Sequence, residues 1–596
     1  MTPSAVPAST KSYALGSAPP EAHPQGIVAS LRRLLPLMAT ERKSVSIAFA
    51  AVVVSSLAGL FGPLIIAHTI DALMRTGGFG GVLRSSGLLL FLYLAAFVAT
   101  YVQTQTMGSV GRRVLFALRN ALFTKLQHLP LDFFNQNKAG DLISRINNDT
   151  DKLNQFFAQS LVQLTANLFM MAGAAIFLLT LNVRLGMAAL APAVGVFLLT
   201  RATGPWVRKR NVRSLQSLGA LSGEIQESLA NFKVIVAFNR RDYFRERFDE
   251  ANARTFSASV ASGLANNVFM PIYGLAYNLA QIAVLFYGVH LVATGNATLG
   301  LLIGFLMYVN SFYLPLRQLA VVWTSFQLAL AGLDRISSVL ALEPNMPVLD
   351  REAAPAGSAV LAFEHVGFSY PGGSEVLHDV SFALERGKTY ALVGPTGGGK
   401  TTTAALMARL YDPTRGRVLL DGHDIRTYQP EERAKRIGFI LQEPFLFTGS
   451  IRDNILYGHN EYGGYSGEQL MRLLTEHNVA ELVSRFENGL DTKVTSSGEA
   501  ISLGQKQLIA FMRAVLRDPE ILILDEATAN VDTVTEQLLE QILAKLPLST
   551  TKVVIAHRLN TIADADEIFF INAGTITPAG SMEHALDLLL HGKRES

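Results

Sequence analysis

Long apolar windows fill the first half of the chain, and they predict membrane helices, because a bilayer core asks for about 20 consecutive apolar residues. Residues 45–67 form the first window, 85–107 the second and 153–183 the third. The fourth, 185–200, is short for a bilayer and ends on Arg201, whose side chain can snorkel to the interface. From 255 to 316 there is no Asp, Glu, Lys or Arg, which is too long for one span and breaks at the Gly/Thr/Asn-rich 294–298. That break yields spans five and six. After Arg335 the pattern changes to short β-rich runs alternating with helical stretches and turns such as Pro371-Gly372-Gly373, an α/β pattern. Residues 343–358, rich in Pro, Ala and acidic side chains, read as a linker. Residues 1–30, rich in Ala, Ser and Pro with only Lys11 and Glu21 charged, read as a disordered tail. The organisation expected is a tail over 1–30, a six-helix membrane domain over 31–342, the linker, and a soluble domain over 359–596.

Composition strengthens the membrane reading: 49% of residues are hydrophobic and 17% charged, with a mean hydropathy of +0.28. Soluble domains carry about 25% charged residues. The 51 basic and 48 acidic residues leave a net charge of +3, too small for a protein that binds nucleic acid through bulk electrostatics. With no cysteine there is no disulfide, no thiolate nucleophile and no cysteine-ligated metal. The connections after spans two and four are long and basic, with Arg112, Arg113, Arg119 and Lys125 in one and Arg208, Lys209, Arg210 and Arg213 in the other. Those after spans one, three and five are short and carry only Arg75, Arg84 and Arg184 as basic residues. By the positive-inside rule the long connections face the cytoplasm, together with Arg32, Arg33, Arg42 and Lys43, so both termini lie inside. The tail lacks the apolar core of a secretory signal and the arginine-rich pattern of a transit peptide, which points to a plain cytoplasmic start. The sequon Asn296-Ala297-Thr298 lies in a very short turn and is assigned no function.

Residues 389–393, a β-rich run, lead into Gly394-Pro395-Thr396-Gly397-Gly398-Gly399-Lys400-Thr401 and then a helical pattern starting at Thr402. This is a phosphate-binding loop in its strand, loop, helix setting. Glycines let consecutive backbone N–H groups converge on phosphate oxygens, the helix N-terminus adds partial positive charge, Lys400 reaches the β and γ phosphates, and Thr401 offers a Mg²⁺ ligand. A second apolar run, 521–524, delivers Asp525 for the Mg²⁺ shell and Glu526 as candidate general base for the attacking water.

With these residues the chain resembles ATP-binding cassette (ABC) exporters over almost its whole length: a half-transporter with an N-terminal membrane domain and a C-terminal ATPase domain. The resemblance implies the type IV exporter fold, six transmembrane helices followed by an α/β P-loop ABC ATPase domain. Tyr370, in FSYP, matches the aromatic that stacks on adenine. Gln442, in LQEPFLF, matches the glutamine that senses Mg²⁺ and γ-phosphate. Ile501-Ser502-Leu503-Gly504-Gln505 matches the signature LSGGQ with departures at its first and third positions. Ala529-Asn530-Val531-Asp532 matches the D-loop, and His557 the switch histidine. Residues 129–145 resemble the first intracellular loop, whose short coupling helix docks on a nucleotide-binding domain, and 224–238 resemble the second.

The resemblance further implies that two such domains meet head to tail. ATP then lies between the phosphate loop of one chain and the signature of the other, with ATP and Mg²⁺ as ligands. Ser502 and Gly504 would serve the partner's ATP, and Lys400, Thr401, Gln442, Asp525, Glu526 and His557 this chain's own. Leu503 in place of a glycine, Val494-Thr495-Ser496-Ser497-Gly498 where V-G-E-x-G is common, and the Ala-Asn-Val-Asp D-loop make a heterodimer with a second half-transporter the favoured assembly over a homodimer. The inner (plasma) membrane is the expected location. Aromatic and amide residues of spans five and six, among them Tyr273, Asn278, Gln281, Phe305 and Tyr308, are candidates for a substrate cavity, with helix packing as the alternative for each. The absence of acidic residues over 255–316 favours an amphipathic or lipid-like, drug-like or peptide-like substrate. An importer on the same fold, or an ATP-gated channel, is the alternative; channels tend to lose residues such as Glu526 and His557.

Overall fold

The computed structural model describes residues 13–15, 35–76, 79–343, 346–351, 359–495, 501–525, 533–555, 565–580 and 582–591. The apolar windows become six helices long and apolar enough to cross a membrane: α1 (Arg42–Thr76), α2 (Phe79–Gln127), then, after the short α3 (Leu131–Gln136), α4 (Ala139–Leu181) and α5 (Val183–Ala230), and, after the short α6 (Phe232–Ala237), α7 (Arg241–Ala293) and α8 (Leu299–Leu340). Most outrun a bilayer. A helix of 48 residues, the length of α5, is roughly 70 Å long against a hydrocarbon core of about 30 Å.

The third window stops earlier than expected, at Leu181, because Asn182 leaves the helix with an extended backbone and its side chain accepts from Leu185 N at 3.1 Å, capping α5. Near the start of α4 two π turns, Arg145–Asp149 and Phe156–Ser160, widen the helix. Arg145 donates to Asp141 Oδ2 (2.8 Å) and to the carbonyl of Arg335 (2.8 Å), while Arg335 reaches Asp141 (2.5 Å) and the fully buried Asp149 (3.2 Å). A buried carboxylate is tolerable only when paired in this way. At the other end, Asp71 receives the Thr298 hydroxyl (2.5 Å) and Gly300 N (2.8 Å), so one side of the short turn is a cap on α8. Several cavity candidates are packed instead. Phe305 and Tyr308 are fully buried, Tyr308 donates to Leu60 O (2.7 Å) and stacks on Phe177 at 5.1 Å, and Tyr273 joins the same core. A buried phenol needs such a partner, which makes these rings packing residues. Gln281 donates to the Tyr277 hydroxyl at 2.7 Å, and Asn278 is exposed.

The chain divides into two compact units, one of them carrying most of the membrane helices (16–125 and 140–340). The other takes the chain from Ala341 onward together with Leu126–Ala139 and the described residues 13–15. Its α/β portion has a four-stranded antiparallel sheet in the order β2-β1-β4-β5, from β1 (Ala359–Ser369), β2 (Glu375–Glu385), β4 (Arg415–Leu420) and β5 (His423–Asp424). The second sheet has six strands, β12-β11-β3-β10-β9-β6, built from β3 (Thr389–Val393), β6 (Ile437–Ile440), β9 (Ile521–Asp525), β10 (Thr551–Ile555), β11 (Glu567–Asn572) and β12 (Thr575–Pro578). A ribbon of β7 (Gly449–Ser450) and β8 (Lys493–Val494) stands apart. Five strands of the larger sheet are parallel neighbours, β12 being antiparallel. All five residues of β9 are buried: Ile521 to Leu524 form the continuous apolar run expected between parallel neighbours, and Asp525 ends it.

Candidate functional site

Strand register decides which residues meet. Leu392 of β3 pairs with Ile555 of β10, Ile555 pairs with Asp525 of β9, and Leu524 pairs with Ile440 of β6. The phosphate-type loop after β3, Asp525 at the end of β9 and Gln442 just past β6 therefore share the carboxyl edge of one sheet, where ligands of such sheets bind. Asp525 is nearly buried; Gln442 is exposed.

The loop's glycines are there for steric reasons. Gly394, Gly397 and Gly399 take φ of 146°, 81° and 114°, a region side chains disfavour. A Cβ on Gly394 would stand 2.0 Å from Ile571 O, one on Gly398 2.6 Å from the same oxygen, and one on Gly399 2.8 Å from Leu377 Cδ2. Gly399 caps the helix α9 (Lys400–Met407), and Gly398 N donates to Pro395 O at 3.1 Å. Lys400 is buried, its Nζ donating to Gly394 O (2.8 Å) and Pro395 O (3.1 Å), so its ammonium sits over the loop it follows. Thr396, Gly397 and Thr401 are exposed, whereas Thr402 is buried. The Tyr370 hydroxyl lies 3.1 Å from Thr402 Oγ1, which brings the predicted adenine platform to the start of α9. An arc of N–H donors at a helix N-terminus with a buried ammonium fits a polyphosphate. The oxygen donors of Thr401, Asp525 and Gln442 are of the hard type that suits Mg²⁺.

The signature residues open a different helix, α10 (Leu503–Val515). Ser502 is its N-cap, accepting from Gln505 N (3.2 Å), while Ser502 N donates to Gln505 Oε1 (3.0 Å) and Gln505 Nε2 to Arg485 O (2.9 Å). None of these bonds reaches the phosphate-type loop. Leu503 occupies the first helical position, where a leucine forms helix better than glycine and leaves the N-terminal N–H groups in place. Glu526, Asp532 and His557 lie outside the described residues.

Sequence reasoning missed one aromatic. Tyr411, buried at 7% exposure, stands edge-on to Tyr370 with ring centroids 5.3 Å apart, and receives a 2.8 Å hydrogen bond from Asn135 Nδ2 on α3. Burial pushes its hydroxyl up to about 12, with Tyr370 and Asp132 adding to the shift and the Asn135 bond opposing it. A tyrosine following the helix of a phosphate loop was the available signal; its partner lies 276 residues earlier.

Comparison with known proteins converges on one family. Residues 45–316 match the ABC transporter transmembrane region and 377–529 match the ABC transporter domain. A fatty acid ABC transporter ATP-binding/permease protein of Mycobacterium bovis is 34% identical over 84% of this chain and 79% of its own length. The chain belongs to the ABC transporters. A multidrug resistance ABC transporter ATP-binding and permease protein of Lactococcus lactis is 30% identical over 89% of this chain and 90% of its own. The solved structure of a bacterial Atm1-family ABC exporter with ATP bound superposes with a TM-score of 0.76 at 26% identity, covering 93% of this chain and 97% of that one. This ABC transporter is thus a multi-pass half-transporter with an ATP-binding domain, and it hydrolyses ATP to drive transport. Half-transporters of the family typically act as dimers.

The two short connecting helices of this ABC transporter differ in where they fold. The α3 loop groups with the ATPase unit, whereas α6 groups with the membrane unit and leaves Phe232, Val234 and Phe238 exposed.

Proposed function

We propose that the chain is the catalytically competent half of a plasma-membrane exporter, with both termini cytoplasmic, that moves amphipathic or hydrophobic substrates such as drugs, lipids or peptide-like molecules by alternating access. The observation that carries the reading is the sheet edge that gathers the glycine cradle, Lys400, Tyr370, Gln442 and Asp525 in a chain with six membrane helices. Substrate class draws support from the fatty acid and multidrug relatives and from the acid-free fifth span and first half of the sixth.

In this mechanism Tyr370 stacks on adenine, the N–H groups of residues 396–402 at the α9 N-terminus cradle the phosphates, and Lys400 neutralises their charge. Thr401, Asp525 and Gln442 hold Mg²⁺, which when bound supplies electrostatic stabilisation of the transferring phosphoryl group. Glu526 takes the proton of the attacking water, His557 orients the γ-phosphate, and Asp532 lies in the D-loop. Ser502, Gly504 and Gln505 complete the partner's site. Moving the membrane helices from 1:99 to 99:1 in favour of the outward state takes about 5.5 kcal/mol of differential binding, within reach of two ATP molecules held between two domains. The partner is a second, different half-transporter, because Leu503, the 494–498 loop and the D-loop depart from the family pattern only in elements presented across the interface.

The test is Glu526→Gln in the assembled transporter. ATP binding is retained, and turnover at this chain's site falls by about 10² to 10⁴, the usual weight of a general base. Parental hydrolysis at that site overturns the base assignment. Expressed alone, the chain turns over poorly, and co-expression with its partner yields one fast and one slow site; efficient transport by the chain alone refutes the heterodimer.

A further inference from the structure

Residues 13–15 belong to no helix or strand and lie in a stretch whose composition gives no reason for contact, yet Tyr13 is 2% exposed. Every polar group that it brings is engaged. Tyr13 N donates to Gln136 Oε1 (2.9 Å), Tyr13 O accepts from Asn137 Nδ2 (2.9 Å), and Leu15 N donates to Asn137 Oδ1 (2.9 Å). The Asn137 amide thus pairs with the main chain of residues 13 and 15 as a strand neighbour would, while its Nδ2 also caps α3 through Phe133 O (2.7 Å). The Tyr13 hydroxyl donates to Glu343 O (2.9 Å), just past the last membrane helix, and its ring meets the fully buried Phe133 edge-on at 6.5 Å. One tyrosine therefore ties together the N-terminal segment, the coupling loop and the entry to the linker.

From that loop a continuous chain of contacts leads to the nucleotide site. Asn135, on the same short helix, donates to the Tyr411 hydroxyl, Tyr411 abuts Tyr370, and Tyr370 meets Thr402. A six-residue helix is far too short to hold its own shape, so its position depends on what is packed around it.

We propose that residues 13–15 form a strap, with Tyr13 a positioning residue that holds the coupling helix and, through Asn135 and Tyr411, sets Tyr370 for adenine. The part that concerns ATP rests on the adenine role proposed for Tyr370. Releasing the strap loosens α3 and weakens ATP capture, while the groups that act on the γ-phosphate keep their places.

The experiment uses the full transporter in nanodiscs, with hydrogen exchange of the peptide 131–139 and ATPase rates over a range of MgATP. Tyr13→Ala is expected to speed exchange in that peptide at least tenfold and to raise KM for ATP about fivefold, with kcat within twofold of the parent. Tyr13→Phe, which keeps the ring and the main-chain bonds, is expected to stay within twofold of the parent in KM. Unchanged exchange after Tyr13→Ala overturns the strap. A fall in kcat at constant KM overturns it too, since that pattern marks loss of folded protein. Tyr370→Ala separates the two readings. If it raises KM while Tyr13→Ala speeds exchange without raising KM, the relay to the nucleotide is overturned. If Tyr370→Ala leaves KM at the parental value, the adenine assignment has failed, and exchange alone decides the strap.

Discussion

The two short connecting helices α3 and α6 are both six residues long and carry phenylalanine, and Phe133 of one and Phe232 of the other have opposite fates. Phe133 of α3 is 0% exposed, packed among Tyr13, Phe134 and its own chain's ATPase unit, whereas Phe232 of α6 and the adjoining Phe238 are 53% and 76% exposed. An exposed apolar cluster of this kind marks an interaction surface. Within one chain α3 is therefore covered by the unit that holds the ATP-binding domain, while the apolar side chains of Phe232, Val234 and Phe238 are left uncovered.

The sharpest way to break this comparison is Phe133→Ala. Truncating a fully buried phenylalanine costs about 3–5 kcal/mol, so the ATPase unit should melt well below the parent in a thermal scan. A loss under about 1 kcal/mol would mean that the loop does not fold with that unit. Next comes Phe238→Asp, alone and with Phe232→Asp. Both positions are exposed, so melting should stay near the parental temperature, while substrate-stimulated ATPase of the assembled transporter drops at least tenfold, about 1.4 kcal/mol of coupling. Parental stimulation would remove α6 as a docking element.

Asn135→Ala tests a finer joint. It deletes one hydrogen bond to a buried hydroxyl, with an expected cost of about 1 kcal/mol. Combined with Tyr411→Phe the cost should be clearly less than additive, because both changes remove the same bond; strict additivity in unfolding experiments would deny the contact.

The smallest effect concerns Asp132. Burial raises its carboxyl above the ordinary value of 3.8, so the folded state holds this proton more tightly than the unfolded one. Its contribution to stability is present below 3.8 and is lost as pH rises through the folded value. Asp132→Asn should remove that decline and stabilise the protein slightly at neutral pH, leaving the parent the steeper of the two in stability against pH. Identical slopes would count against the burial.

Much of this was legible in the chain, and the gaps have physical causes. Six spans were readable because an uncharged window of membrane length is what a bilayer demands and what a water-exposed helix avoids. The same windows are blind to polar continuations: 185–200 appeared short, yet α5 runs on to Ala230 on charged residues that no apolar count detects. The glycine cradle, Asp525 and Gln442 were readable because each follows a strand in a fixed local pattern, and register brings them to one edge. Tyr273, Phe305 and Tyr308 illustrate the opposite case, since an aromatic in a span looks the same whether it lines a cavity or packs, and only partners such as Leu60 O decide it. Tyr13 and Tyr411 depend on pairs more than 100 residues apart, for which local pattern carries no signal.

The unequal internal make-up of two helices has a mechanical consequence. The 49-residue α2 contains no proline, while the 48-residue α5 contains Pro192 and Pro205. Each proline deletes one rung of the backbone ladder and is a site where a helix bends. Over a length of roughly 70 Å, a tilt of about 5° at one end displaces the other by about 6 Å, more than a full helical turn. The uninterrupted α2 behaves as a pushrod that passes such leverage on undiminished, whereas α5 is a jointed limb that can absorb part of the stroke at either proline.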